Sequence, residues 1–140
     1  MDTHTITTLF QRPGTKPHIF APLGNESYFK SLNTIPDGHY HVLDWWGAAR
    51  VDTTHGSVDL HCTPAQHFTG RSLTDRFKTL WASWAVVGAG ENGKKVWFGG
   101  DTGYRTVLQG QEEDKVEVCP AFKEIGDAFG GFDFAMIPIG

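Results

Sequence analysis

The sequence predicts a mixed α/β (α+β) fold, and three observations lead there. Segments with apolar residues three and four apart alternate with segments of period two, without an internal repeat. Proline and glycine pairs such as Pro13-Gly14 and Gly130-Gly131 fall where a helix has to stop. The composition, 39% hydrophobic, 20% charged and 13% aromatic, is that of an ordered globule and not of a disordered chain. At 140 residues the chain is long enough for one domain, or a piece of one, with a core of its own.

The elements follow in order. Asp2 or Thr3 caps a short helix whose Ile6, Leu9 and Phe10 share one face, and Pro13-Gly14 ends it. Residues 18–21 read as a short strand. Asn25 caps a second helix that turns Tyr28, Phe29 and Leu32 toward a core. Pro36-Asp37-Gly38 makes a turn, and residues 39–44 a strand leading into Trp45-Trp46. In residues 57–63, Val58, Leu60 and Cys62 alternate with Asp59 and His61, the period of a half-buried strand. Residues 80–87 and 95–98 form a hairpin around the glycine-rich turn 88–93. Residues 105–118, with Glu112-Glu113-Asp114, read as a surface loop inserted within the domain. Pro120 suits the first turn of a helix carrying Phe122, Ile125 and Phe129, stopped by Gly130-Gly131. A buried strand is expected over 132–139.

Charge and composition exclude several classes of function. A net charge of −4 with scattered basic residues leaves no electrostatic footprint for nucleic acid. The first ten residues hold Asp2 and no basic cluster or apolar run, so they do not read as a signal peptide. No stretch approaches the roughly 18 apolar residues of a membrane span, and a cytoplasmic location is expected. The two cysteines, Cys62 and Cys119, form no Cys-x-x-Cys pair, which leaves them as two buried thiols.

Chemistry concentrates where strands end. Thr63-Pro64-Ala65-Gln66-His67 follows an alternating strand, and its proline stops ladder pairing and stiffens the loop that presents His67. Gly99-Gly100-Asp101-Thr102-Gly103-Tyr104 has the same form, with glycines that let the backbone bring a carboxylate to the sheet edge. Taken alone, His67 reads as a surface or satisfied core histidine sooner than as a metal ligand, and Asp101 as the cap of a turn.

Together, the run Thr63-Pro64-Ala65-Gln66-His67-Phe68, then Arg71, Asp75 and Leu80-Trp81-Ala82-Ser83-Trp84, then Phe98-Gly99-Gly100-Asp101-Thr102-Gly103-Tyr104, resembles the N-acyl-phosphatidylethanolamine-hydrolysing phospholipase D family of the metallo-β-lactamase superfamily. Cys119-Pro120-Ala121-Phe122-Lys123-Glu124-Ile125-Gly126, the closing Phe132-Asp133-Phe134-Ala135-Met136-Ile137-Pro138-Ile139-Gly140 and the earlier Leu43-Asp44-Trp45-Trp46 continue the likeness in the family's order.

The resemblance implies an αββα sandwich with two zinc ions held by loops along one edge. It implies cleavage of a membrane phospholipid, N-acyl-phosphatidylethanolamine, to an N-acylethanolamine and phosphatidic acid. By position, His67 would be a histidine ligand of one zinc, and Asp101 the carboxylate bridging both, the catalytic role here. Both residue types suit the ion, since neutral imidazole and carboxylate oxygen are ordinary zinc donors. Arg71, Trp45 and Trp46 are the candidate substrate contacts, with Arg71 able to grip a phosphate bidentately or to pair with Asp75.

The departures carry equal information. The family's first metal-binding cluster, His-x-His-x-Asp-His, and its last histidine do not occur in these 140 residues. A single incomplete domain over 1–140, truncated at both ends and inactive alone, is therefore expected, with exposed strand edges that favour an oligomer or aggregate. His39 and His41 fall on an ordinary strand and are expected to face solvent, and His4, His18, His55 and His61 have no ligand spacing. Animal members pass from Gly-Tyr almost directly into Cys-Pro-Ala-Phe, so 105–118 is an insertion, and Phe77 stands where they carry Asn. Two other readings stay open: a hydrolase of a soluble phosphodiester or lactone on the same fold, and a non-catalytic protein binding lipid or a partner through Trp45-Trp46.

Overall fold

The computed structural model of the chain describes residues 2–67, 74 and 76–138. Its elements are α1 (Thr3–Gln11), β1 (Ile19–Pro22), α2 (Glu26–Ser31), β2 (Tyr40–Leu43), β3 (Ala48–Thr53), β4 (Gly56–Pro64), β5 (Ala82–Gly88), β6 (Lys95–Phe98), a 3₁₀ turn (Glu113–Lys115), α3 (Pro120–Phe129) and β7 (Phe134–Met136). β1 and β2 form a parallel pair, and the other strands form a second sheet in the order β3-β4-β5-β6-β7. This is a mixed α/β arrangement, consistent with part of a metallo-β-lactamase sandwich.

Two apolar clusters hold the helices to their sheets. Phe10 of α1, Ala21 of β1, Phe29 of α2 and Ile35 form the first. Asp2 caps α1, its carboxylate accepting from the His4 amide at 3.0 Å. Ile6 and Phe10, one turn apart, reach the cluster, whereas Leu9 stays 37% exposed, contrary to its expected place on the buried face. Asn25 is the residue before α2, yet its side chain does not cap the helix. It turns inward and donates to the Pro22 carbonyl at 2.7 Å, so the buried amide serves the β1 corner instead.

The second cluster lies beneath α3. Residues directly opposite in a sheet share a face, and His61, Ala85 and Trp97 form such a row across β4, β5 and β6. Ile125 packs on that row with Phe122, Phe129 and Phe132 around it. Pro120 opens α3 and Gly130, at φ 65°, closes it in the left-handed conformation, as the sequence requires.

Residues 48–53, for which the sequence signalled no element, form β3, an edge strand antiparallel to β4. Its cross-strand pair Arg50–Asp59 is bidentate at 3.1 and 3.3 Å. β5 begins at Ala82, because the Leu80 amide is diverted to the Leu23 carbonyl at 2.8 Å. Of the buried strand expected over 132–139, residue 139 lies outside the described residues, and among the others only β7 forms, exposed at each of its positions. It runs parallel to β6 at the end of the sheet order, beyond the row that α3 covers, so Phe134 is 57% exposed.

The histidines near β1 and β2 also differ from expectation. His39 and His41 are half-buried and stack with His18, the His18–His39 ring centroids lying 4.5 Å apart. His18 Nδ1 meets His41 Nε2 at 3.0 Å, and Phe20 stacks on His41 at 4.7 Å. Parallel pairing causes this by setting Ile19 against Tyr40 and Phe20 against His41. Burial, reinforced by the neighbouring imidazoles His18 and His39, holds the His41 pKa below its ordinary value.

Candidate functional site

β4 and β6 each run antiparallel to β5, so they point the same way and release their loops at one edge of the sheet. A buried polar network anchors the β4 end. Ser83 donates to the Pro64 carbonyl at 2.7 Å, Thr63 and Ser83 hydroxyls meet at 2.7 Å, and Trp97 Nε1 donates to Ser83 at 3.2 Å. Beyond it come Gln66 and His67.

From the end of β6 the chain turns at Gly100, whose φ of 66° suits a residue without a Cβ, and presents Asp101. Two strand spacings separate β4 from β6, about 9.6 Å at the usual spacing. The loops nevertheless lean together. The Gln66 amide donates to Thr102 Oγ1 at 2.8 Å, and the Gly103 amide donates to the Gln66 carbonyl at 2.9 Å. His67 Nε2 then lies 2.9 Å from Asp101 Oδ2, with side-chain exposures of 34% and 88%, so the pair is open to a ligand.

The end of β1 supplies another wall. Leu23 bonds both the Leu43 carbonyl and the Leu80 amide. Gly24, at φ 90°, passes so close to the 78–79 backbone that a Cβ there would lie 2.4 Å from the Lys78 carbonyl oxygen. A cleft of about 340 Å³ results, lined by His67 and Asp101 together with Phe20, Pro22 and Trp81.

A second cleft of about 660 Å³ shares His67 and is walled by Trp45, Trp46, Phe77 and Trp81. Trp45 donates its indole N–H to the Trp81 carbonyl at 2.6 Å, which ties that ring into the wall. Trp46 is 46% exposed and Phe77 65% exposed, and both sit at positive φ, 65° and 61°. Such backbone conformations are costly for aromatic residues and concentrate at ligand sites.

Of the residues singled out from sequence, the structure brings His67 and Asp101 together and places Trp45 and Trp46 in the adjoining cleft. Arg71 and its alternative partner Asp75 lie outside the described residues. The sequence reading assigned no part to Thr102 or Trp81, although both lie in the quoted motifs; only the three-dimensional contacts reveal them. Cys62 is fully buried, and burial with Asp44 nearby pushes its thiol up to about 11, so it stays protonated at neutral pH. Cys119 is only half-buried, unlike the buried thiol expected there.

The chemistry of the His67 and Asp101 donors fits zinc, and their separation lets both approach one ion. Their number does not complete a site. Among the described residues no group of three or more histidine, cysteine, aspartate or glutamate side chains is placed to hold a metal ion. Catalytic zinc ordinarily takes three protein ligands. The pair is therefore suited to be part of a metal centre.

The described elements form part of a metallo-β-lactamase fold. A family profile described as Beta-lactamase superfamily domain matches residues 2–140, and the chain belongs to that superfamily. It is 37% identical over 123 residues to N-acyl-phosphatidylethanolamine-hydrolyzing phospholipase D 1 of Caenorhabditis elegans, covering 86% of this chain and 30% of that protein. The mitochondrial N-acyl-phosphatidylethanolamine-hydrolyzing phospholipase D of Saccharomyces cerevisiae is 32% identical over 128 residues, covering 89% of this chain and 23% of that protein. An uncharacterized protein of Mycobacterium tuberculosis is 38% identical over 119 residues, covering 85% of this chain and 26% of that protein. The chain thus spans between about a quarter and a third of the length of these curated relatives. Among the described residues, no helix is long and apolar enough to cross a membrane.

Proposed function

We propose that the chain is part of a zinc-dependent phosphodiesterase of the phospholipase D type, which hydrolyses N-acyl-phosphatidylethanolamine to an N-acylethanolamine and phosphatidic acid. The observation that carries the proposal is the 2.9 Å approach of His67 to Asp101 at the mouth of two loops that converge across an intervening strand. The relatives in Caenorhabditis elegans and Saccharomyces cerevisiae, whose names state that activity, support the choice of substrate.

In this reading His67 and Asp101 hold part of a two-zinc centre, whose remaining ligands lie elsewhere in the complete gene product. Two zinc ions, when bound, would supply Lewis acidity toward a phosphoryl group. The chain's own residues do the rest of the work proposed for them. Asp101 offers two carboxylate oxygens, and His67 an imidazole ring nitrogen. Trp46 and Phe77, 46% and 65% exposed in the cleft that His67 shares, give an apolar wall against which acyl chains of a phospholipid can lie. Arg71 is retained as a phosphate contact. The protein acts in the cytoplasm at the membrane surface, and residues 1–140 by themselves do not turn over substrate, because two donors cannot hold a two-metal centre.

Turnover of micellar N-acyl-phosphatidylethanolamine and of a soluble phosphodiester by the complete gene product, with and without a chelator, tests this. Chelator-sensitive release of N-acylethanolamine, at much greater kcat/KM than for the soluble ester, is expected. Preference for the soluble ester would move the activity to another substrate class. Lipid binding without turnover, unchanged by chelator and by His67→Ala, would refute the enzyme reading in favour of a binding protein.

A further inference from the structure

We infer that Thr102 is the positioning residue of this site, the group that sets the separation of His67 and Asp101. The inference takes its functional meaning from the metal-site reading above, but the contact itself is made without any ion. His67 and Asp101 stand on loops from strands that do not touch, because β5 lies between β4 and β6. Side-chain reach alone would leave two loops free to drift apart across that gap. Gln66 prevents this. Its amide donates to Thr102 Oγ1 at 2.8 Å and its carbonyl accepts from the Gly103 amide at 2.9 Å, so one loop grips both backbone groups of a single residue on the other.

The geometry places the grip next to the chemistry. Gln66 immediately precedes His67, and Thr102 immediately follows Asp101, so each candidate ligand is one residue from a fixed atom. The pair's 2.9 Å contact is the result. Threonine suits the task for two reasons. Its hydroxyl oxygen accepts the bond, and its β-branch restricts the side-chain torsion, which fixes the direction of that oxygen. Valine keeps the shape and loses the acceptor, leaving the half-buried Gln66 amide unpaired. Serine keeps the acceptor.

The test compares the complete gene product with its Thr102→Val and Thr102→Ser variants, by nuclear magnetic resonance of the metal-free protein and by titration with cobalt(II) as the probe metal. Thr102→Val is expected to accelerate amide exchange at Gln66 and Gly103 while amides of β5 keep their wild-type rates. It should also move the His67 ring signals from their wild-type positions as the Asp101 contact is lost, and weaken cobalt(II) binding about 10–100-fold, the usual cost of losing an outer support of a metal ligand. Thr102→Ser should restore all three. Wild-type exchange at Gln66 and Gly103 in Thr102→Val would overturn the grip. Faster exchange there with the His67 signal intact would overturn the positioning role. If the complete gene product takes up no cobalt(II), the metal reading fails on its own account, and the His67 signal alone decides the role of Thr102.

Discussion

Ser83 illustrates how a residue with no direct part in chemistry sustains the site. Its fully buried hydroxyl joins Thr63, the Pro64 carbonyl and Trp97 Nε1 at the root of the His67 loop. Removing it takes the donor from the buried Pro64 carbonyl and leaves the Trp97 indole N–H only Thr63 Oγ1, at 3.4 Å, which costs about 1–3 kcal/mol. Ser83→Ala should therefore lower the denaturant midpoint with an unchanged slope. An unchanged midpoint would mean that the network contributes nothing to stability. At this scale the sequence was partly informative. His67 and Asp101 stood out because strand-ending loops rich in proline or glycine announce exposed functional groups. Thr102 and Ser83 did not, since a threonine or serine gains its meaning from a partner 19 to 36 residues away.

Elements with a strong local signal came through with their bounds almost intact. β6 is Lys95–Phe98, and α3 runs from the proline at its start to Phe129, just before the paired glycines. β3 was invisible because Ala48-Ala49-Arg50 has no period-two pattern, and its pairing with β4 makes the strand. β1 and β2 were legible as strands but not as parallel partners, so the stacking of His18, His39 and His41 could not be foreseen. Residues 105–118 show a feature of their own: the Cys119 amide donates to the Tyr104 carbonyl at 3.0 Å, so the ends of the segment meet.

That histidine stack has a pH consequence. The folded state favours neutral His41, whose pKa lies below the ordinary 6.5. In such a case the stabilisation is present above the unfolded value and is lost as pH falls through the folded one. Melting temperature should decline as pH falls below about 6.5, and less steeply in His41→Leu than in the wild type. Coincident pH profiles for the two proteins would contradict the coupling.

At the scale of the whole molecule, α1 and α2 cover the small sheet and α3 covers the centre of the large one, but β7 is left bare. Phe134, Met136 and Ile137 are 57%, 44% and 62% exposed at the edge of the large sheet. Exposed apolar edge strands invite pairing with another chain. Sedimentation of the 140-residue chain should show concentration-dependent association. A sharp monomer over a wide concentration range, with cooperative melting, would exclude it. Superfamily membership accounts for this layout and for the single edge at which the loops gather, whereas substrate and metal rest on the proposal made from that edge.

The most direct test of the account is the metal content of the complete gene product, measured by elemental analysis for the wild type, His67→Ala and Asp101→Asn. The account predicts close to two zinc ions per chain in the wild type, a marked loss in both variants, and turnover abolished in Asp101→Asn. A full zinc complement with undiminished turnover in Asp101→Asn would show that the pair at the loop mouth is not the metal site.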